Sequence, residues 1–121
     1  MVMDQTNDLP APHTSGAASM CLLNDQLRRE GIGGRTVLTR GLAALPTDEL
    51  AAVLRAVAGF SEFTVSNDTY GEHDCGVLDV AGHSVLWKID YYDLELGAHS
   101  LDPSDPTRTC RVLTIMLSEE Y

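Results

Sequence analysis

Trp87-Lys88-Ile89-Asp90-Tyr91-Tyr92-Asp93 is the stretch on which the fold turns. It holds the only Trp, the only Lys and two of the four Tyr of the chain. Apolar and polar residues alternate through it, the period of a strand with one buried face. Val85, Trp87, Ile89 and Tyr91 share one side and form the core face. Leu86, Lys88, Asp90 and Tyr92 share the other, where Lys88 and Asp90 are close enough to neutralise each other in part. The stretch reads as a central strand whose exit turns acidic.

Its neighbours extend the sheet. Residues 75–80 and 84–92 form a hairpin joined by Ala81-Gly82-His83. Residues 93–110, with Pro103 and Pro106, are a long acidic loop, a length that in a compact domain is functional or loosely ordered. Residues 111–118, Arg-Val-Leu-Thr-Ile-Met-Leu-Ser, close the chain as an apolar strand. Upstream, residues 60–74 are an ordered loop flanked by aromatics, with turn chemistry at Asn67-Asp68-Thr69-Tyr70-Gly71.

The clearest helix covers residues 47–58. Thr47 serves as its N-cap, Asp48 and Glu49 sit in its first turn, and Leu50, Val53, Leu54 and Val57 line one face. A second helix covers 20–30, with Ser19 as N-cap and Met20, Leu23 and Leu27 on one face. Gly31, Gly33 and Gly34 stop it. They follow a helix and precede no Lys-Ser/Thr pair, so they are a C-cap and turn rather than a phosphate loop. Residues 35–40 are a short β-branched strand, and Leu42 to Leu45 link it to Pro46. Residues 1–19, with Pro10 and Pro12, read as a flexible tail. The expectation is one α+β domain over 20–121, with about four strands in a largely antiparallel sheet covered on one face by two helices. A hydrophobic C-terminal strand at a sheet edge would support a homodimer.

At 121 residues the chain is one domain, large enough to hold a core without disulfide or metal. Its three Cys, at 21, 75 and 110, show no paired spacing, and small buried hydrophobes are the reading for all three. They point to reduced thiols in the cytoplasm. The first 20 residues lack the basic start and apolar run of a signal peptide, and no 18-residue apolar stretch occurs. The net charge is −10. Residues 61–106 carry ten carboxylates against Lys88 alone, a local charge of −9. That excludes direct nucleic-acid binding, which needs a cationic face, and binding to an anionic membrane. It fits a basic partner.

Several segments together resemble a family of small bacterial proteins classed as a domain of unknown function, typical of proteobacterial plasmids and prophages. They are Leu23-Asn24-Asp25 with Arg28, Leu38-Thr39-Arg40-Gly41, Asn67-Asp68, Gly71-Glu72-His73-Asp74 with Gly76, and Trp87 to Asp93. Asp102-Pro103 with Asp105-Pro106, Arg111 to Leu117 and Glu119-Glu120-Tyr121 complete the set. The resemblance spans residues 20–121. Cys75 departs from it, since an aromatic is expected after the His-Asp pair. The resemblance implies a setting, accessory genes of mobile DNA, and no activity.

Three constellations carry possible chemistry. Glu72-His73-Asp74 with Asp68 has metal-ligand residue types, but neighbours on an extended chain diverge, and no HExxH is present. A hydrogen-bonded loop, with His73 anchored through a carboxylate, is the plainer account, and no cofactor is indicated. Asp90 and Asp93 with Asp68 or Glu72 would make an acid/base pair, against which Lys88 makes a structural ion pair of Asp90. Cys75 with His73 or His99 would be a thiol–imidazole pair, in surroundings whose negative charge disfavours a thiolate.

The reading that follows is an interaction protein that inhibits a host nucleic-acid-handling defence enzyme, of the anti-CRISPR or antirestriction kind, through a nucleic-acid-mimicking surface. Asp68, Glu72, Asp74, Asp90, Asp93, Glu95, Asp102 and Asp105 would bind the basic partner, a nuclease or CRISPR-effector subunit. The alternative is a small metal-dependent or carboxylate-based hydrolase using Asp68, Glu72, His73, Asp74 and Asp90. The residues leave catalysis undecided and weigh against it.

Overall fold

The computed structural model describes residues 16–121, with side chains from Ser19 onward. Most of the tail expected over residues 1–19 lies outside the described residues. Its last four positions belong to the first helix, α1 (Gly16–Glu30), so Ser19 is inside the helix rather than its cap. Ala17 and Ala18 favour helix strongly, and no Pro follows Pro12 to stop it before Gly16.

The chain continues through β1 (Gly34–Leu38), α2 (Arg40–Ala43), α3 (Thr47–Ala58), β2 (Cys75–Val80), β3 (His83–Tyr92) and β4 (Cys110–Leu117), then a 3₁₀ turn at Ser118–Glu120. The sheet order is β1-β4-β3-β2. β3 pairs antiparallel with both neighbours, and β1 runs parallel to β4. The result is the expected α+β fold with a four-stranded, largely antiparallel sheet.

Three expectations need correction. The strand expected over 35–40 ends at Leu38, and Leu42 to Leu45 are not a plain link, because α2 (Arg40–Ala43) runs into them. Glu120 holds it from 79 residues away: its Oε2 accepts from Gly41 N at 2.8 Å, and its Oε1 accepts from Thr39 Oγ1 at 2.6 Å. The hairpin connection is two residues, Ala81 and Gly82, with φ of 54° and 81°, the left-handed pair that a primed two-residue turn requires. The C-terminal strand is interior. β1 and β2 are the edges, which removes the sheet-edge argument for a dimer.

The alternation of β3 is realised as read. Val85, Trp87, Ile89 and Tyr91 are buried, and Leu86, Lys88, Asp90 and Tyr92 are half-buried. The buried set packs with Leu113 and Ile115 of β4, Met20 and Leu27 of α1, Leu42 of α2, Val53 and Val57 of α3, and Phe60. Each such side chain contributes about 1.5–3 kcal/mol of hydrophobic burial. Gly76 is required opposite Trp87, since a Cβ there would lie 2.6 Å from the indole Nε1.

The register also places the loops. Cys75 faces Lys88 across β2–β3, and Tyr92 faces Cys110 across β3–β4. Loop 60–74 therefore enters the sheet, and loop 93–110 leaves and re-enters it, at the same end. Eight of the eighteen acidic residues of the chain lie in these two loops.

Candidate functional site

Loop 60–74 is built inward from two aromatics. Phe60 and Phe63 meet edge to face at 5.0 Å, and both pack against Trp87. Asn67 then folds the chain back: its Oδ1 accepts from Thr64 N, and its Nδ2 donates to Glu62 O. Gly71 and His73 follow in the left-handed region, with φ of 67° and 55°. That conformation is uncommon for a side chain with a Cβ. It is held through the peptide that precedes it, by both of that peptide's polar groups. His73 N donates to Asp68 Oδ1, and Asn24 Nδ2 of α1 donates to Glu72 O.

The consequence is that the imidazole turns towards α1. His73 Nδ1 lies 2.9 Å from Asp25 Oδ1 and 3.3 Å from Cys21 Sγ. Its Nε2 faces Asp68 Oδ2 at 3.5 Å. Phe63 stacks on the ring with centroids 3.7 Å apart and planes 4° from parallel. Cys21 and Asp25 are four apart on one helix face, and the thiol faces Asp25 Oδ2 at 3.8 Å. Glu72 and Asp74, the sequence neighbours of His73, supply none of these contacts. Cys75 is not the thiol that meets it either. The left-handed backbone turns His73 away from Cys75, which is exposed across from Lys88. Nor are the three thiols fully buried: Cys21 and Cys110 are half-buried, and all three are free.

Two buried arginines fix this arrangement. Arg28 Nη1 donates to the carbonyls of Val57, Ala58 and Phe60, closing the C-terminus of α3, while its Nη2 donates to Asp25 Oδ1 at 2.8 Å. Arg111 Nε donates to Asn24 Oδ1 at 2.9 Å, and its Nη2 donates to Pro103 O. Asn24, fully buried, also donates to Tyr91 Oη at 2.8 Å. One asparagine thus ties loop 60–74, β3 and β4 to α1, and Arg111 carries the link on to loop 93–110.

The electrostatics separate the carboxylates. Burial works against the charge of Asp25, but hydrogen bonds from His73 and Arg28 outweigh it and hold the carboxyl below its ordinary range. Burial pushes Glu72 up, and the charges of Asp74 and Asp68 add to the shift. Burial pushes Asp74 up as well, with Asp68 and Asp90 repelling it. The Cys21 thiol is raised by burial and then by Asp25, so it stays protonated at neutral pH. Asp68 is turned inward, its side chain only 6% exposed against His73. Asp90 pairs with Lys88 at 2.5 Å, as expected.

Loop 93–110 uses its carboxylates differently. Asp93 Oδ1 accepts from Glu95 N and Gly97 N, Asp102 Oδ1 from Ser104 N and Oγ, and Asp105 Oδ1 from Thr107 N and Oγ1. Each closes its own short turn. Leu94 and Leu101 stand out from the loop, 63% and 90% exposed. They line a shallow depression with Asp93, Glu95 and Arg108.

Of the residues singled out in the sequence, Asp68, Glu72 and Asp74 come together around the His73 loop. Asp90 lies close enough to repel Asp74, and Asp93, Glu95, Asp102 and Asp105 form the second loop. Sequence reasoning missed Cys21 and Asp25. The i, i+4 spacing of a thiol and a carboxylate was the available signal, and nothing local connected it to His73.

A protein-family model described as "Protein of unknown function (DUF3768)" matches residues 38–120. The match holds β2, β3 and β4, both acidic loops and His73, and leaves out α1 and all of β1 but Leu38. No curated protein and no solved structure matches the chain. Among the described residues, no helix is long and apolar enough to cross a membrane.

Proposed function

The chain belongs to the DUF3768 family, whose function is unknown, and we propose that it is a small acidic interaction protein of mobile-element type. It binds and inhibits a host nucleic-acid-handling defence enzyme, of the anti-CRISPR or antirestriction kind, in the cytoplasm. One observation carries this reading: the strand register brings loops 60–74 and 93–110 to the same end of the sheet. Asp68, Glu72, Asp74, Asp90, Asp93, Glu95, Asp102 and Asp105 are thereby concentrated on one end of the molecule, with Lys88 and Arg108 as the cations of these segments.

A cationic nucleic-acid channel is the complement of such an end. The carboxylates take the place of phosphates, and opposite charge speeds encounter. The exposed Leu94 and Leu101 add what a mimic needs beyond charge, because apolar side chains rimmed by polar groups mark protein contacts. The turns of Asp93, Asp102 and Asp105 fix the carboxylates in place, which lowers the ordering cost of binding.

The test is protection. The full chain is expressed in cells carrying one intact defence system and challenged with the phage or plasmid that the system restricts. Protection should be lost when Asp93, Glu95, Asp102 and Asp105 are converted together to their amides. It should survive His73→Ala, which a hydrolase built on His73 and its neighbouring carboxylates would not. The purified target should bind at low salt and be released as salt rises. Protection that ignores the four amides, or binding that ignores salt, would remove the physical basis of the mimic.

A further inference from the structure

We propose that Cys21, Asp25 and His73 form a binding site for a divalent transition-metal ion of the zinc class. The inference is independent of the inhibitor reading, because these residues lie beside the acidic end and not in its exposed turns.

The donors come from two elements and converge on one point. One ligand atom from each of the three side chains lies within 4.8 Å of the others. Zinc–ligand bonds of about 2.0–2.3 Å at tetrahedral angles put N, O and S donors about 3.4–3.6 Å apart. The observed separations are 3.3 Å from Sγ to Nδ1, 2.9 Å from Nδ1 to the nearer Asp25 oxygen, and 3.8 Å from Sγ to the farther one. The two edges that meet at Sγ, to Nδ1 and to Asp25 Oδ2, lie within about half an ångström of the tetrahedral value, and the 2.9 Å contact is to the other carboxylate oxygen, Oδ1. Side-chain adjustments on one helix face and one loop are sufficient to close the difference.

The donor chemistry narrows the ion. A thiolate, an imidazole and a carboxylate together suit Zn²⁺ and its first-row neighbours, whereas Mg²⁺ and Ca²⁺ take oxygen alone. Arg28 occupies Asp25 Oδ1 and leaves Oδ2, the oxygen facing Cys21, for the metal. The neighbouring charge favours a cation: Asp68 faces His73, Glu72 and Asp74 flank it in the loop, and Arg28 is the guanidinium paired with Asp25.

The outer shell is the second independent feature. A metal on Nδ1 requires the His73 proton on Nε2, and Nε2 faces Asp68 Oδ2 at 3.5 Å. That is the carboxylate–histidine–metal arrangement that fixes tautomer and ring direction. Asp68 also holds the His73 backbone N–H, and Phe63 stacks flat on the ring, so the imidazole is positioned on three sides. On binding, the Cys21 thiol gives its proton to solvent and the S–metal bond forms. Asp25 and His73 are 20% and 24% exposed, so solvent reaches the site and a fourth ligand has access.

Cobalt is the probe. The full chain, stripped with chelator and kept reduced without added thiol, is titrated with Co²⁺ and then Zn²⁺. One equivalent of Co²⁺ should give a thiolate-to-cobalt charge-transfer band that Zn²⁺ abolishes. The band should persist in a Cys75→Ser/Cys110→Ser variant and vanish in Cys21→Ser, whose circular dichroism stays unchanged. Asp68→Asn should keep the band and weaken affinity by about 10–100-fold. On the wild-type chain, the His73 ring ¹⁵N resonances should move with metal occupancy, which needs no variant to fold. A band that survives Cys21→Ser, its absence at stoichiometric Co²⁺, or unmoved His73 resonances would overturn the site.

Discussion

Loops 60–74 and 93–110 leave the same end of one sheet and are both acidic, yet they are held in opposite ways. The first is fastened from outside. Arg28, Asn24 and Asp25 of α1 hold its two ends, and Asp68, Glu72 and Asp74 are half-buried near one another. The second is fastened largely from within, by Asp93, Asp102 and Asp105 and by a Ser100–Thr109 hydroxyl pair at 2.7 Å. Arg111 adds one bond, to Pro103 O. Carboxylates that gather around an imidazole work against stability, and this is the mark of a site. Carboxylates that each close a turn keep their charge at little cost, and this is the mark of a surface.

The largest expected effect tests the outside fastening. Arg28→Ala removes donors from three carbonyls and from Asp25 at once. Stripping a buried charge of its partner costs about 3–5 kcal/mol, so chemical denaturation should show a loss of that order. Hydrogen exchange should rise first in residues 60–74 and only later in 93–110. Equal loss of protection in both loops would mean that they form one unit, and the comparison would fail.

This contrast also sets how much of the molecule was legible. The period-two pattern of residues 85–91 and the i, i+3, i+4 pattern of residues 50–57 are local, and both became elements: β3 buries its expected face, while α3 buries Val53 and Val57, half-buries Leu50 and leaves Leu54 exposed. The Asx turns of loop 93–110 are equally local, since Asp-Pro-Ser and Asp-Pro-Thr carry their own acceptors and donors. The His73 cluster is not local. Asp25 and His73 are 48 residues apart, and the left-handed φ that aims the ring depends on Asn24 and Asp68. α2 escaped for the same reason, because its anchor, Glu120, lies 79 residues away. Sequence spacing reports what a residue does for its own turn. It is silent on what arrives from the far end of the chain.

A second effect is alkaline. Tyr91 Oη accepts from Asn24 under loop 60–74, and burial pushes its pKa up to about 12 from an ordinary value near 10. The neutral phenol is therefore favoured in the folded state. Its contribution is present in full below about pH 10 and is lost as pH rises through about 12. The shift corresponds to about 2–3 kcal/mol at most. Stability measured from pH 9 to 12 should fall by up to that amount in the wild type. It should fall less in Tyr91→Phe, which starts lower for want of the Asn24 partner.

A smaller effect is a gain in stability. Glu72 and Asp74 have folded-state pKa values raised above those of the unfolded chain. Their stabilising contribution is present below the unfolded values near pH 4 and is lost as pH rises through the folded ones. At pH 7 both are charged against their surroundings. Glu72→Gln and Asp74→Asn should each stabilise the protein, by on the order of 0.5 kcal/mol. A loss of stability in both would show that these carboxylates hold the loop together, and the first loop would then resemble the second.

The smallest effect is the sharpest test of the second loop. In Asp93→Asn and Asp102→Asn the amide oxygen replaces the carboxylate oxygen that accepts from Gly97 N and from Ser104 N. Asn closes an Asx turn as Asp does. Each turn should survive, and the change in unfolding free energy should stay within about 0.5 kcal/mol. Two negative charges leave the acidic end with the backbone unmoved. A defect in partner binding then reports charge alone. A drop of several times that size would mean that the negative charge itself holds the turns, and binding losses in these variants would report disorder instead. Ala at the same positions separates the two cases, since it removes both the charge and the acceptor. If Ala unfolds the loop while Asn leaves it intact, the carboxylates of residues 93–110 are structural as acceptors and functional as charges.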